Sequence, residues 1–470
     1  MQEVTMNQQS HAADHLVSFI LKMKQEELPS IVIDTFIYYY EQVLAGETGL
    51  ICDGQIMPLT PDDIEDWENL ICYADVGRDL MKQSVMIVLN GGLGTSMGLT
   101  GPKSLLPVRN GKTFLDIILK QAEVARARLA LMNSFSTDSD TRAALQRSGS
   151  NIKPLIFLQH KFPKILQEDF SPACCPENPR LEWNPPGHGD IYTALMTSGM
   201  IENLLNCGIR YAFISNSDNL GSSIDEALLG YFVENDFPFM MEVAHRTPSD
   251  VKGGHLARHE NRRIVLREAA QCPGDELEAF RNIGRYRFFN TNNLWVNLEY
   301  LREVIQSQHV IRLPLILNPK TLDPRNEYSP PVFQVETAMG AAISLFEGAT
   351  AVKVPRTRFF PVKKCNELLA VRSDLFRFSV RNTLIPNPDR QAAEMPRIRL
   401  DNKYYGKTDQ FDQRFPQGAP SLIECDTLTI EGDVRFERDV KIRGKVRIQN
   451  TQPSQIVIRA GATLEGDLSF

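Results

Sequence analysis

A chain of 470 residues exceeds what one hydrophobic core ordinarily supports, so two or three domains are expected. With 42% hydrophobic and 23% charged residues it reads as a globular protein in water, and its net charge of −7 argues against a nucleic-acid backbone or an anionic membrane as main partner. Any anionic ligand must then be met by locally placed basic groups.

The N-terminal stretch carries Glu3 and Asp14, and its apolar run, Leu16 to Leu21, is only six residues long. It is a poor signal peptide, and no segment reaches the length of a membrane span. The eight cysteines, at 52, 72, 174, 175, 207, 272, 365 and 425, form no C-x-x-C pair. They read as reduced thiols of a cytoplasmic protein.

From His11 to about Leu70 apolar residues such as Leu16, Phe19, Ile20 and Met23 recur at helical steps, which predicts a helical N-terminal region (1–80) packed on the body. From Ser84 to about Ser373 strands and helices alternate. Strands are expected at 85–89, 128–134, 152–159, 209–216, 237–243 and 291–297, with helices at Phe114 to Ala127, Ile191 to Cys207 and Ser223 to Glu234. This grammar predicts an α/β catalytic domain (81–386) whose mostly parallel sheet is covered on both faces, with ligands beyond the carboxyl ends of its strands. A polar, proline-containing stretch (387–420) reads as a linker. After it, Ile430, Val434, Phe436, Val440, Ile442, Val446 and Ile448 fill the first and fifth places of a six-residue unit. That period predicts a C-terminal parallel β-helix (421–470), with a pair of amphipathic hairpins as the alternative.

The run LNGGLGTSMGLTGPKSLLP, Leu89 to Pro107, sets five glycines ahead of Lys103. It is not a P-loop, because Pro102 stands where that motif needs glycine and removes a backbone N–H. Nor is it a dinucleotide fingerprint, since Gly92, Gly94 and Gly98 miss the G-x-G-x-x-G spacing. Glycine lets backbone approach a nucleotide closely, and Pro102 stiffens the mount of Lys103.

This loop resembles that of the eukaryotic-type UTP–glucose-1-phosphate uridylyltransferases. The likeness continues through LMNSFSTDSDT, FLQHKFPKI, WNPPGHGDIYTAL, FISNSDNLG, DVKGGHLAR, FFNTNNLWV, FQVETAMGAAI and RFFPVKKCNELL, and covers roughly Val85 to the C-terminus. It implies a Rossmann-like, GT-A-like nucleotidyltransferase fold with a left-handed β-helix, and a Mg²⁺-dependent attack of glucose 1-phosphate on the α-phosphorus of UTP. UDP-glucose and pyrophosphate would be the products.

By the same resemblance, Lys103 holds the β and γ phosphates, and Lys363 reaches the phosphate being transferred. Asp218 is the metal-binding carboxylate, and Asn216 faces the nucleotide sugar or the glucosyl phosphate. Leu89, Asn90, Gly91 and Gly92 offer backbone to the uridine. Gly187 packs near the uracil, and His188 meets the sugar phosphate. Gln159 carries both a donor and an acceptor, which suits the uracil edge. Asn292, Gly253, Gly254 and Glu336 are expected near the glucose hydroxyls. On residue pattern alone Asp218 fits equally a cap on the helix after Gly221, and Lys363 fits a solvated surface lysine.

Ser96 stands where many bacterial sugar nucleotidyltransferases carry arginine, in keeping with the eukaryotic type. The loop from Leu322 to Phe333 is longer and richer in proline than expected, and no site residue is expected in the first 80 residues. A UDP-N-acetylhexosamine or broad-specificity pyrophosphorylase is the alternative enzyme. A non-catalytic nucleotide-binding scaffold, assembling into a homo-oligomer through the β-helix, is the alternative from another class.

Overall fold

The computed structural model describes residues 15–247, 250–308, 310–392 and 394–470. An 11-stranded sheet forms the centre, and its main row runs Glu65–Asp66, Thr350–Lys353, Phe239–His245, Phe288–Asn297, Tyr211–Asn216, Ser84–Asn90, Arg128–Asn133, Leu155–Leu158. Neighbours are parallel except Phe288–Asn297, which is antiparallel to both of its neighbours. The fold is therefore mixed α/β around a mostly parallel sheet. Ser84–Asn90 is buried at every position, as a strand covered on two faces must be. Its alternate residues feed separate cores. Val85, Ile87 and Leu89 pack toward the helix Ile191–Thr197, while Met86 and Val88 pack toward the helices Phe114–Ala125 and Glu226–Glu234.

Local residue choices explain where the elements depart from expectation. The expected helix from Ile191 to Cys207 is two helices, Ile191–Thr197 and Met200–Asn206, because Gly199 adopts a left-handed φ of 68°. Asp225 caps the helix Glu226–Glu234 by accepting a hydrogen bond from Leu228 N at 3.1 Å. Asp218 is thereby released from the capping role that the sequence left open for it.

The expected start of the first helix at His11 lies outside the described residues. Helices 15–25 and Ser30–Leu44 bury Phe19, Met23, Val32, Phe36 and Tyr40 against Phe162, Trp183 and Val335 of the body. The helical region expected to about Leu70 breaks after Leu44 and regains helix over Trp67–Tyr73 and Ala74–Leu80, and in the break Gly46 and Gly49 take positive φ. Beyond them Ile56–Pro58 and Glu65–Asp66 join the central sheet, pairing with His255–His259 and Thr350–Lys353.

The stretch 387–420, expected as a linker, is not a loose spacer. Arg397–Leu400 pairs in parallel with Cys425–Glu431, and helices Asn402–Tyr405 and Thr408–Arg414 bury Tyr405 and Phe411 against the same core as Phe436. Further on, Cys425–Glu431, Lys441–Gln449 and Thr463–Ser469 pair in parallel, as do Val434–Phe436 and Ile456–Ile458. The seven apolar residues of the six-residue frame are all buried. Parallel pairing rules out the antiparallel hairpins. Among the described residues, no helix is long and apolar enough to cross a membrane.

Candidate active site

Strands Ser84–Asn90 and Tyr211–Asn216 lie side by side in parallel, with Leu89 opposite Asn216, so their carboxyl ends open at one edge of the sheet. The glycine loop leaves the first strand. It folds back so that Lys103 N donates to Gly92 O at 3.1 Å. Pro102, with φ of −57°, fixes the turn that follows, and Met97 anchors the loop tip by being fully buried in the C-terminal core.

Lys103 Nζ donates to Asp218 Oδ2 at 2.7 Å, and Lys363 Nζ donates to the same oxygen at 2.6 Å. Groups 115 and 145 residues apart in sequence thus converge on one atom. Burial works against the charge on Asp218, but the ammonium groups of Lys363 and Lys103 hold its carboxyl below the usual carboxylate range. Its other oxygen, Oδ1, is buried and takes no hydrogen bond. The Lys363 side chain is 59% exposed, against 12% for Lys103, so Lys363 reaches in from the open side.

The segment carrying Lys363 is stapled to the Asp218 turn. Val362 N donates to Asp218 O at 3.1 Å, Phe360 N to Asn219 Oδ1 at 2.8 Å, and Asn219 Nδ2 to Arg358 O at 3.0 Å. Arg358 in turn clamps the fully buried carboxylate of Glu242 through two bonds of 2.7 and 2.8 Å, and Trp295 Nε1 also donates to that carboxylate. Arg358→Met is expected to cost about 3–5 kcal/mol in chemical denaturation, because it leaves the Glu242 charge buried without its partner. A loss below about 1 kcal/mol would show that water reaches Glu242.

On the other side of the glycine loop, Ser134 Oγ donates to Gly91 O at 2.9 Å, and Gln159 Nε2 donates to Gly187 O at 2.9 Å. A Cβ on Gly91 would stand 2.6 Å from Gln159 Oε1. Gly91, Gln159 and Gly187 therefore lie side by side. Asn90 contributes only backbone there, since its buried amide donates to Asn133 Oδ1 at 2.8 Å and Thr141 Oγ1 at 3.0 Å. Gly187 sits at φ 79° and ψ 175°, and a Cβ on it would meet Thr337 O at 2.3 Å. Gly187→Ala is expected to cost about 1–3 kcal/mol in chemical denaturation, because the strain and the clash both displace this turn, and an unchanged midpoint would show that the turn absorbs the methyl group.

His188 Nδ1 accepts a hydrogen bond from Met339 N at 2.9 Å, which leaves the ring proton on Nε2. Burial, then the charge of Lys363, pushes its pKa down to about 4. The ring is a neutral donor near neutrality.

Asn292 occupies a β-bulge in Phe288–Asn297, where the register against Phe239–His245 shifts and φ turns to 58°. Its N donates to Asn290 Oδ1 at 2.8 Å, and Asn290 Nδ2 donates to its Oδ1 at 2.7 Å. Gly254 O accepts from Asn290 N at 3.0 Å, and a Cβ on Gly254 would lie 2.6 Å from the Glu268 carboxylate. Gly254, Asn290, Asn292 and Glu268 form one polar cluster. Gly253 instead closes a turn through its N on Asp250 O at 2.9 Å, and Asn318 and Lys320 are the groups that face Glu336. Of the proline-rich stretch expected as a loop from Leu322 to Phe333, residues 322–330 form the tip of a hairpin, and Pro331 to Phe333 already belong to its second strand, Pro331–Glu336, which pairs with Ile316–Thr321.

Glu268 was not among the expected site residues. Burial pushes its carboxyl up to about 7 from 4.5, against the pull of an Asn290 hydrogen bond. The native state then binds the extra proton, so its contribution to stability is full below pH 4.5 and is lost as pH rises through about 7. Glu268→Gln is expected to flatten the slope of urea stability between about pH 5 and about pH 8, and an unchanged slope would place the titration elsewhere.

Residues 33–443 match the family model described as UTP–glucose-1-phosphate uridylyltransferase. The chain belongs to that family. It is 38% identical over 440 residues to the UTP–glucose-1-phosphate uridylyltransferase of Solanum tuberosum, covering 91% of this chain and 90% of the relative. The corresponding enzyme of Saccharomyces cerevisiae is 38% identical over 444 residues, 92% of this chain and 87% of its own. Among solved structures, the UDP-glucose pyrophosphorylase of Leishmania major, described in open and closed forms, aligns with a TM-score of 0.90 at 41% identity, over 97% of this chain and 99% of its own. A point mutant of that protein in complex with UDP-glucose aligns at 0.89 and 40%, with the same coverage of 97% and 99%. Among the described residues, no group of three or more His, Cys, Asp or Glu side chains is placed to hold a metal ion.

Proposed function

We propose that the cleft beyond the strands Ser84–Asn90 and Tyr211–Asn216 transfers a uridylyl group from UTP to glucose 1-phosphate, releasing pyrophosphate in a reversible in-line displacement. The observation that carries this reading is the convergence of Lys103 and Lys363 on one oxygen of Asp218 while the other oxygen stays unpaired. Bringing two polyanions together demands cations and close backbone, not a nucleophilic side chain.

Asp218 suits Mg²⁺, because its buried Oδ1 is a hard donor without a hydrogen-bond partner. When bound with substrate phosphates, the ion neutralises part of their charge. The chain's own groups do the positioning. Lys103, enclosed and pinned behind Pro102, holds the β and γ phosphates. Lys363, on the open side, meets the α-phosphate as charge builds on it. Backbone from Leu89 to Gly92, with Gln159 and Gly187, receives the uracil, and Asn216 lies at the strand end beside them. The His188 Nε2–H donates to the sugar phosphate. Asn292 and Gly254 with Glu268, and Glu336 from its own strand, face the glucose hydroxyls.

The parallel strands from Arg397 onward fit a parallel β-helix. The strand Thr463–Ser469 pairs on one side only, which gives copies of the chain an edge through which to associate. The setting that this chemistry and the scattered free thiols suit is the cytoplasm.

The test is to offer UTP with a panel of sugar 1-phosphates and to identify the nucleotide product by mass. UDP-glucose formed in clear preference to UDP-N-acetylglucosamine supports the reading. The reverse preference replaces it with a UDP-N-acetylhexosamine pyrophosphorylase.

A further inference from the structure

Directly behind the wall assigned to the uracil stands a second link that the reaction does not use. Asp190 Oδ2 accepts from His160 N at 2.7 Å, and its Oδ1 lies 2.9 Å from His160 Nδ1. His160 Nε2 is 3.0 Å from Thr197 Oγ1. Both acidic and imidazole side chains are nearly enclosed, at 4% and 10% exposure. The order Thr197, His160, Asp190 has the outline of a hydrolytic triad, but the Thr197 hydroxyl already donates to Thr193 O at 3.0 Å within its own helix. Nothing about this threonine fits a nucleophile. What the trio does is mechanical.

His160 is the residue after Gln159, at the end of the strand Leu155–Leu158, and Asp190 is the last residue of the turn that begins with Gly187 and His188. The same two segments are thus joined twice, in front by Gln159 Nε2 on Gly187 O at 2.9 Å and behind by His160 on Asp190. A carboxylate that accepts both the peptide N–H and the ring N–H of one residue fixes that peptide plane, and the plane sets where the preceding side chain points. Gln159 has long rotamer freedom, and only a fixed backbone lets its amide discriminate one base edge from another.

We propose that Asp190 and His160 are positioning residues that set base selectivity, by holding Gln159 and the Gly187 turn at the spacing of a uracil edge. This rests on the reading that Gln159 faces the base. The pair acts through Gln159.

The experiment measures kcat/KM for UTP and for CTP, and KM for glucose 1-phosphate, in the wild-type protein and in Gln159→Ala, His160→Leu, His160→Asn and Asp190→Asn. Gln159→Ala is expected to lower the preference for UTP over CTP by about tenfold or more, since a site built to pair with the base edge loses its reader. His160→Leu is expected to lower it by about tenfold through displacement alone, with KM for glucose 1-phosphate changed less than about threefold. His160→Asn, whose side-chain N–H replaces that of Nδ1, is expected to restore most of the preference. If Gln159→Ala loses selectivity while His160→Leu keeps it, the bracket is overturned and the reading of Gln159 stands. If Gln159→Ala keeps selectivity, the reading of Gln159 fails and the bracket with it. A loss in His160→Leu that falls equally on UTP, CTP and glucose 1-phosphate would reduce the pair to a structural role, again against the proposal. Should Asp190→Asn not fold, the two His160 variants carry the test.

Discussion

Asp218→Ala is expected to reduce turnover by about 10³-fold or more, the largest effect of any single substitution in the cleft. Two things fail together when this carboxylate goes. Lys103 and Lys363 lose the oxygen on which both converge, at 2.7 and 2.6 Å, so two ammonium groups are left adjacent without a counter-charge. The buried Oδ1, the only unpaired oxygen of the group, is lost as a donor to a hard cation. The turn itself survives, because its backbone carbonyl still accepts from Val362 N and Asn219 still bonds Arg358 O and Phe360 N. A folded, inactive variant is therefore the expected outcome. Asp218→Asn keeps the shape and removes the charge, and it should fail nearly as badly in turnover while losing the Mg²⁺-dependence of UTP affinity. Retention of more than about a tenth of the activity in Asp218→Asn would show that the carboxylate is only a tether for the lysines.

Lys363→Ala is expected to lower kcat by about 10²–10³-fold and to change the Kd for UTP by less than about threefold. The asymmetry follows from position. Lys103 is enclosed and belongs to the glycine loop proposed to receive the nucleotide, whereas the Lys363 side chain is 59% exposed. On the proposed role, its charge would be felt where negative charge accumulates as the new bond to phosphorus forms, and it would stabilise the transition state more than the ground state. Single-turnover kinetics with calorimetric UTP titration separates the two quantities. Equal losses in kcat and in UTP affinity would assign Lys363 to ground-state binding instead. Lys363→Arg should recover only part of the rate, because a planar fork cannot place its charge at one point as an ammonium does.

The parts of the site written in local motifs were legible in the sequence, and those created by packing were not. Lys103 behind Pro102, Asp218 at a strand end and Lys363 in its short motif were all named there, and they meet at one atom. Asn90 was named from its place in the loop, but its side chain turns away to Asn133 and Thr141, because a side chain's direction depends on partners far along the chain. Gly253 and Gly254 look alike in the sequence; one closes a turn and the other lies against Glu268. Glu268 itself gives no local signal, because its raised pKa comes from burial that tertiary structure alone supplies. The same reason explains the fold-level departures. Glu65–Asp66 and Ile56–Pro58 are too short to show any periodicity, and their partners lie in distant strands. Arg397–Leu400 alternates weakly, yet pairing with Cys425–Glu431 makes it part of the C-terminal unit.

The most direct test of the account is pyrophosphate release on mixing the protein with Mg²⁺, UTP and glucose 1-phosphate, run beside Lys363→Ala under the same conditions. Steady release that requires all three additions and falls by about 10²-fold or more in the variant is expected. Release no greater than that of the Lys363→Ala protein would contradict it.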